Sequence, residues 1–140
     1  MSFPVPGSRG SAPITPEQGA AVANLAVRYD WQLVVLFGST ARQRYGRDID
    51  LAVKPVSVPD LFAQGRWLRE LEAVFDPVPV GLLVLTADTA PLVRFEALRD
   101  GVCLYQDHDQ RFWQEQDRAF FLYADADWLR GDERTVRGNG

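Results

Sequence analysis

An α/β (α+β) domain is the fold class that this sequence predicts, and three observations predict it. Short apolar runs end at turn residues, segments with helix-start signals lie between those runs, and the apolar residues of these segments recur at helical spacing. The 140 residues, 46% of them hydrophobic, suffice for one compact core and leave no room for a second full domain.

Residues 1–13 carry Pro4, Pro6, Gly7, Gly10 and Pro13 among small polar residues and are expected to form a flexible arm, because they bury too little surface to order themselves. The domain is expected over 14–124. At Thr15-Pro16-Glu17-Gln18 a capping residue, a first-turn proline and a capping-box glutamine coincide, and Val22, Leu25, Ala26 and Tyr29 continue on one face. Trp31 to Phe37 is too short and too apolar for a surface helix and reads as a buried strand that stops at Gly38. Ser39 is placed to cap a short helix over Thr40 to Tyr45, ended by Gly46, and Asp48 to Lys54 follows as a second strand.

Ser57-Val58-Pro59-Asp60 opens a longer helix in which Leu61, Phe62, Leu68, Leu71 and Phe75 are spaced as one face. Val78 to Leu85 predicts a third strand. Thr89 to Asp100 predicts a helix with Leu92, Phe95 and Leu98 inward and Gly101 past its end, and Val102 to Tyr105 a short fourth strand. A final helix is expected from Asp109 to about Tyr123, with Phe112, Gln116, Ala119, Phe120 and Tyr123 near one stripe, and residues 125–140 are expected to be a frayed tail.

The net charge of -4 argues against extensive nucleic-acid binding, which needs clustered Lys and Arg, and leaves a nucleotide or a protein as the expected partner. With one cysteine, Cys103, and one histidine, His108, a single chain assembles neither a disulfide framework nor a Cys/His zinc site. Cys103 reads as a small core residue and His108 as a loop residue. Met1 to Ser11 has no apolar signal core and no apolar run of ~18 residues occurs, so a cytoplasmic protein without a membrane segment is expected.

The chemistry concentrates between residues 38 and 50. Side chains alternate along a strand, so Asp48 and Asp50 are expected on one side, away from Ile49 and Leu51. Two close carboxylates repel each other unless a cation lies between them, and Mg2+ suits a site that substrate phosphates complete. Upstream, Gly38 lets the backbone approach a phosphate, while Ser39 offers a hydroxyl and the free N–H groups of a helix start. Asp-x-Asp and Gly-Ser are each common by chance; an apolar strand, the turn, a helix and an apolar strand bearing both acids together are far more specific.

Leu36-Phe37-Gly38-Ser39-Thr40-Ala41-Arg42, followed by Asp48-Ile49-Asp50-Leu51-Ala52-Val53, resembles the signature of the minimal nucleotidyltransferases of the DNA polymerase beta superfamily. Phe95 and Leu98-Arg99-Asp100-Gly101-Val102-Cys103-Leu104-Tyr105 extend the likeness over most of residues 17 to 105. The resemblance implies a nucleotidyltransferase fold, a small mixed β-sheet flanked by helices. It also implies an NTP such as ATP held at Gly38, Ser39 and Arg42, Mg2+ held by the catalytic Asp48 and Asp50, and transfer of a nucleotidyl group. Many such proteins are antitoxins beside a HEPN-type ribonuclease toxin, and some transfer AMP to a toxin tyrosine.

Two positions depart from the family pattern. The third acid, usually in a Val-Asp-Leu strand, is replaced in Val80-Gly81-Leu82, and Asp76 falls in a loop short of that strand. Arg47 stands where Ser commonly precedes the first aspartate; it pairs either with a nucleotide phosphate or with Asp48. Arg44 fits either a solvated helix face or contact with a triphosphate or an acidic partner. The aromatics Phe112, Trp113, Phe120, Phe121, Tyr123 and Trp128 exceed one helical stripe, so they either cover their own sheet or meet a partner, a toxin or a second copy in a homodimer. Two functions compete: an NMP-transferring enzyme, and a reduced nucleotidyltransferase fold that acts by binding a protein or sensing a nucleotide.

Overall fold

The computed structural model describes the backbone of residues 14–38 and 48–138 and side chains as far as residue 126. The described residues form four helices and four strands: α1 Pro16–Tyr29, β1 Trp31–Phe37, β2 Ile49–Pro55, α2 Leu61–Phe75, β3 Val80–Val84, α3 Pro91–Arg99, β4 Val102–Gln106 and α4 Arg111–Gly138. No described helix is long and apolar enough to cross a membrane.

Local chemistry sets the element boundaries. The Gln18 backbone N–H donates to Thr15 Oγ1 at 3.1 Å while the Thr15 N–H donates to Gln18 Oε1 at 2.9 Å, the reciprocal box expected from the sequence. Asp60 caps α2 by accepting from the Ala63 N–H at 2.8 Å. The chain leaves α1 through Asp30, at φ 58°, and enters β1 at once.

The sheet is mixed, with strand order β3-β2-β1-β4. β1 pairs antiparallel with both β2 and β4; β2 pairs parallel with β3, an arrangement that requires the crossover supplied by α2. Strand alternation splits the core. Val34, Leu36, Ile49, Leu51, Val53 and Val80 face one way and pack with α1 and α2, where Trp31 and Trp67 meet edge-on, ring centroids 5.3 Å apart. Leu33, Val35 and Ala52 face the other way, against Ala97 and Leu98 of α3 and Ala119 of α4.

Several helical faces differ from those read by spacing. In α2 the buried stripe is Trp67, Leu71 and Phe75, whereas Leu61 and Phe62 are 81% and 84% exposed, because the first turn of the helix lies off the sheet. In α3 the buried positions are Arg94, Ala97 and Leu98, and Leu92 is exposed, since the helix turns toward α4 as well as the sheet. Phe95 instead stacks on Tyr123 at 4.5 Å. Where a frayed tail was expected after residue 124, α4 continues to Gly138. No proline interrupts that stretch, and Gly131 costs a helix only about 1 kcal/mol, so propagation from the packed part continues through local hydrogen bonds. The short helix expected over Thr40 to Tyr45 lies outside the described residues.

Leu51 is wholly buried on the central strand β2. Leu51→Ala is expected to lower unfolding free energy by about 2–5 kcal/mol, measured by urea denaturation with an unchanged slope.

Candidate functional site

Asp50 lies on β2 between two positions that carry no side chain. It pairs with Phe37 of β1 on one side and with Gly81 of β3 on the other, and Gly38 follows Phe37 directly. A Cβ on Gly38 would stand 2.5 Å from Asp50 Oδ2, and one on Gly81 would stand 2.8 Å from Asp50 Oδ1. The carboxylate thus occupies the space two side chains would have filled. Gly38 is required twice over, since its φ of 80° is also one that L side chains rarely adopt. Gly81 meets only the movable tip of Asp50.

This location raises the cost of ionising Asp50. Its pKa lies above the ordinary 3.8, first because burial strips water from the carboxylate and second because Asp48 places a like charge nearby. Asp48 immediately precedes β2 and is exposed. The two acids therefore act on one another, one of them partly buried, the condition under which a cation between them is favourable.

The parallel register decides where a third acid would stand. Asp50 and Gly81 are direct partners, so position 81 projects from the same face as Asp50, and it carries no carboxylate. Asp76 ends α2 in the turn before β3 and is exposed. Among the described residues no group of three or more His, Cys, Asp and Glu side chains is placed to hold a metal ion. Of the six residues expected at the site, Gly38, Asp48 and Asp50 are described and lie together; Ser39, Arg42 and Arg47 lie outside the described residues.

Residues 21–110 match the family described as polymerase beta, nucleotidyltransferase. The chain belongs to that family. Solved structures similar to this nucleotidyltransferase domain include one of a toxin–antitoxin with AMP-PNP, 20% identical, TM-score 0.68, covering 86% of this chain and 96% of that one. Another is of a tri-AMPylated Shewanella oneidensis HEPN toxin in complex with MNT antitoxin, 19% identical, TM-score 0.65, covering 87% and 94%. A third, of the toxin–antitoxin MntA-HepT, is 18% identical with TM-score 0.65 and covers 87% and 95%. No curated protein matches significantly. At these identities the likeness establishes the fold.

Other residues take structural places in this nucleotidyltransferase domain. The Cys103 thiol packs among the residues under α3 and α4, and burial pushes its pKa up to about 11, which removes it as a nucleophile near neutrality. His108 sits exposed between β4 and α4, its Nδ1 accepting from the Gln110 N–H at 3.2 Å. Of the C-terminal aromatics, Phe112 packs on the sheet, while Trp113, Phe120 and Phe121 are each more than half exposed. Sequence reasoning missed two buried charges, Arg94 and Glu115. Nothing local marks either, because on a helix each reads as solvated until the opposing elements are known.

Two outcomes follow from the confined carboxylate. The folded-state pKa of Asp50 is raised, so the energetic penalty for ionising it is absent below the unfolded pKa near 4 and grows as pH rises through the folded value. In metal-free buffer Asp50→Asn is expected to raise the melting temperature at pH 7, with the gain shrinking to nothing as pH falls toward ~3, measured by thermal melts across pH. Gly38→Ala, which adds strain at positive φ and contact with Asp50, is expected to lower stability by more than ~1 kcal/mol in the same assay.

Proposed function

We propose that this nucleotidyltransferase-family protein is an antitoxin that binds Mg2+ and an NTP through the Asp48–Asp50 edge and transfers AMP to a HEPN-type ribonuclease toxin. The observation that carries the reading is the Asp50 carboxylate held between Gly38 and Gly81 with Asp48 beside it. The fold likeness to chains from toxin–antitoxin structures, one with AMP-PNP and one with a tri-AMPylated HEPN toxin, supports the choice of nucleotide and partner.

The donor set fits one Mg2+. That ion commonly takes one or two carboxylates and completes its octahedron with substrate phosphates and water, and the partly buried Asp50 with the exposed Asp48 beside it offer those oxygens. When bound, it would neutralise charge on the transferring phosphate. The chain's own contribution is placement. Gly38 opens the backbone to the triphosphate, the Ser39 hydroxyl donates to phosphate oxygens, and Arg42 and Arg47 pair with the remaining charge. A toxin hydroxyl oxygen forms the new bond to the α-phosphorus while the bond to the pyrophosphate oxygen breaks. With glycine at position 81, the hydroxyl's proton goes to solvent instead of to a positioned base, so transfer is slow.

A second reading is favoured by the Gly81 register itself: neutralisation of the toxin by contact, with nucleotide binding as a remnant or a sensor. Labelled ATP with Mg2+ and the cognate toxin separates the two. The first reading expects label on the toxin, lost in Asp50→Asn. If the toxin stays unlabelled yet its ribonuclease activity is silenced equally by the native chain and by the folded Asp48→Ala/Asp50→Ala variant, contact is the mechanism.

Gly81→Asp provides an independent check on the missing acid. It is expected to lower the melting temperature in EDTA, to be restabilised by Mg2+, and to accelerate transfer, with a general base's usual factor of about 10²–10⁴ as the ceiling. Calorimetric titration with Mg2+ and a nonhydrolysable ATP analogue reads the affinity directly.

A further inference from the structure

At the far end of β2 from Asp50 lies a cleft of about 200 Å³ whose lining, among the described residues, includes Lys54, Thr86, Arg94 and Arg118 and no acidic residue. In a chain of net charge -4, three cations on one small concavity stand out. Lys54 follows Asp50 by four residues on the same strand, so the two are about 13 Å apart along it. Buried Ala52 lies between them on the same face of the strand. The cleft is therefore separate from the nucleotidyltransferase edge.

Arg94 gives the cleft its character. The residue is only 5% exposed, and one guanidinium Nη donates to the Thr86 carbonyl, which fixes the planar head at the cleft wall. Its Nε is buried and meets no acceptor among the described residues. Burial, the Arg118 charge and only partial relief from Glu115 together depress the Arg94 pKa; burial is the largest cause. Glu115 offsets part of the Arg94 charge but makes no hydrogen bond to it among the described residues. Its Oε2 accepts from Arg111 Nη1 at 3.4 Å, and its buried Oε1 has no hydrogen-bond partner among the described residues. Arg94 held at the wall, with the Lys54 ammonium and the Arg118 guanidinium lining the same cleft, makes a concavity of one charge sign that suits an oxyanion.

From these groups the geometry points to a second, metal-independent anion site that takes a phosphoryl oxyanion, either inorganic phosphate or pyrophosphate or the phosphate of a nucleotide. Lys54, Arg94 and Arg118, offset only in part by Glu115, match a phosphoryl group better than a lone carboxylate, and the planar fork of exposed Arg118 suits two phosphate oxygens at once. Val56 and Val58 on the cleft wall offer apolar contact to whatever organic stem an ester carries.

The test uses the full chain in EDTA, titrated with pyrophosphate, inorganic phosphate or AMP and read by calorimetry and by amide shifts of Thr86, Ala87 and Arg94. Saturable binding is expected. Lys54→Gln/Arg118→Gln, which leaves buried Arg94 in place to protect the fold, is expected to weaken it about tenfold or more. Asp50→Asn is expected to leave it unchanged. AMP tighter than phosphate assigns the site to an ester; pyrophosphate tightest assigns it to the inorganic ion. Binding that survives the double substitution, that is lost in Asp50→Asn, or that acetate reproduces at equal ionic strength would overturn the proposal. Because no metal or toxin is present, this outcome is independent of the transfer assay.

Discussion

A carboxylate held on the face of a sheet at a point of little space is the constraint around which this domain is arranged. Asp50 emerges from the central strand β2, and both neighbouring strands give way: β1 ends in Gly38 at positive φ, and β3 presents Gly81 in register. Each omission removes a Cβ that would overlap a carboxylate oxygen. The result is an acid with limited hydration, raised in pKa, beside a second acid at the strand's start. Such a site is unfavourable in the empty protein and becomes favourable when a cation and phosphate oxygens supply what water does not.

The two-sided sheet keeps that cost local. One face is closed by α1 and α2 around Trp31, Trp67, Leu71 and Phe75, with Tyr29 donating to Glu70 at its margin and Arg28 bonded to the same carboxylate at 2.9 Å. The other face is closed by α3 and α4 around Leu33, Val35, Ala52 and Leu98. Asp50 belongs to this second face but lies at its edge, where the strand begins. Its charge is therefore confined by backbone and glycine instead of by a layer of apolar side chains. Lys54 continues the same face at the strand's other end, so one alternation rule distributes an acid, a small buried alanine and a base along a single strand.

Gly81 stands in register with Asp50, where the resemblance to the family leads one to expect a third acid, and this limits the proposed chemistry. Two carboxylates with substrate phosphates accommodate one ion, but positioning a second ion and accepting a proton both draw on the missing group. The same glycine also leaves room for Asp50, since any side chain at position 81 would press on its Oδ1. Restoring an acid there adds a ligand and a repulsion together, and the balance depends on whether a cation is present.

The sequence alone determined much of this. Thr15, Pro16 and Gln18 announce α1; the apolar run from Trp31 to Phe37 announces β1; Asp60 announces α2; and the Gly38 to Asp50 segment carries the family. These signals are legible because capping, turn geometry and strand alternation act over a few residues. Helical faces were less legible. Leu61 and Phe62 repeat at helical spacing yet lie in solvent, and Arg94 and Glu115 are charged yet lie inside. The family resemblance already put Gly81 at the third-acid position; tertiary structure fixed its direct register with Asp50, raised the Asp50 pKa, and gathered Lys54, Arg94 and Arg118 around one cleft. Strand register, desolvation and the meeting of distant helices depend on which surfaces face one another, and no short stretch of sequence records that.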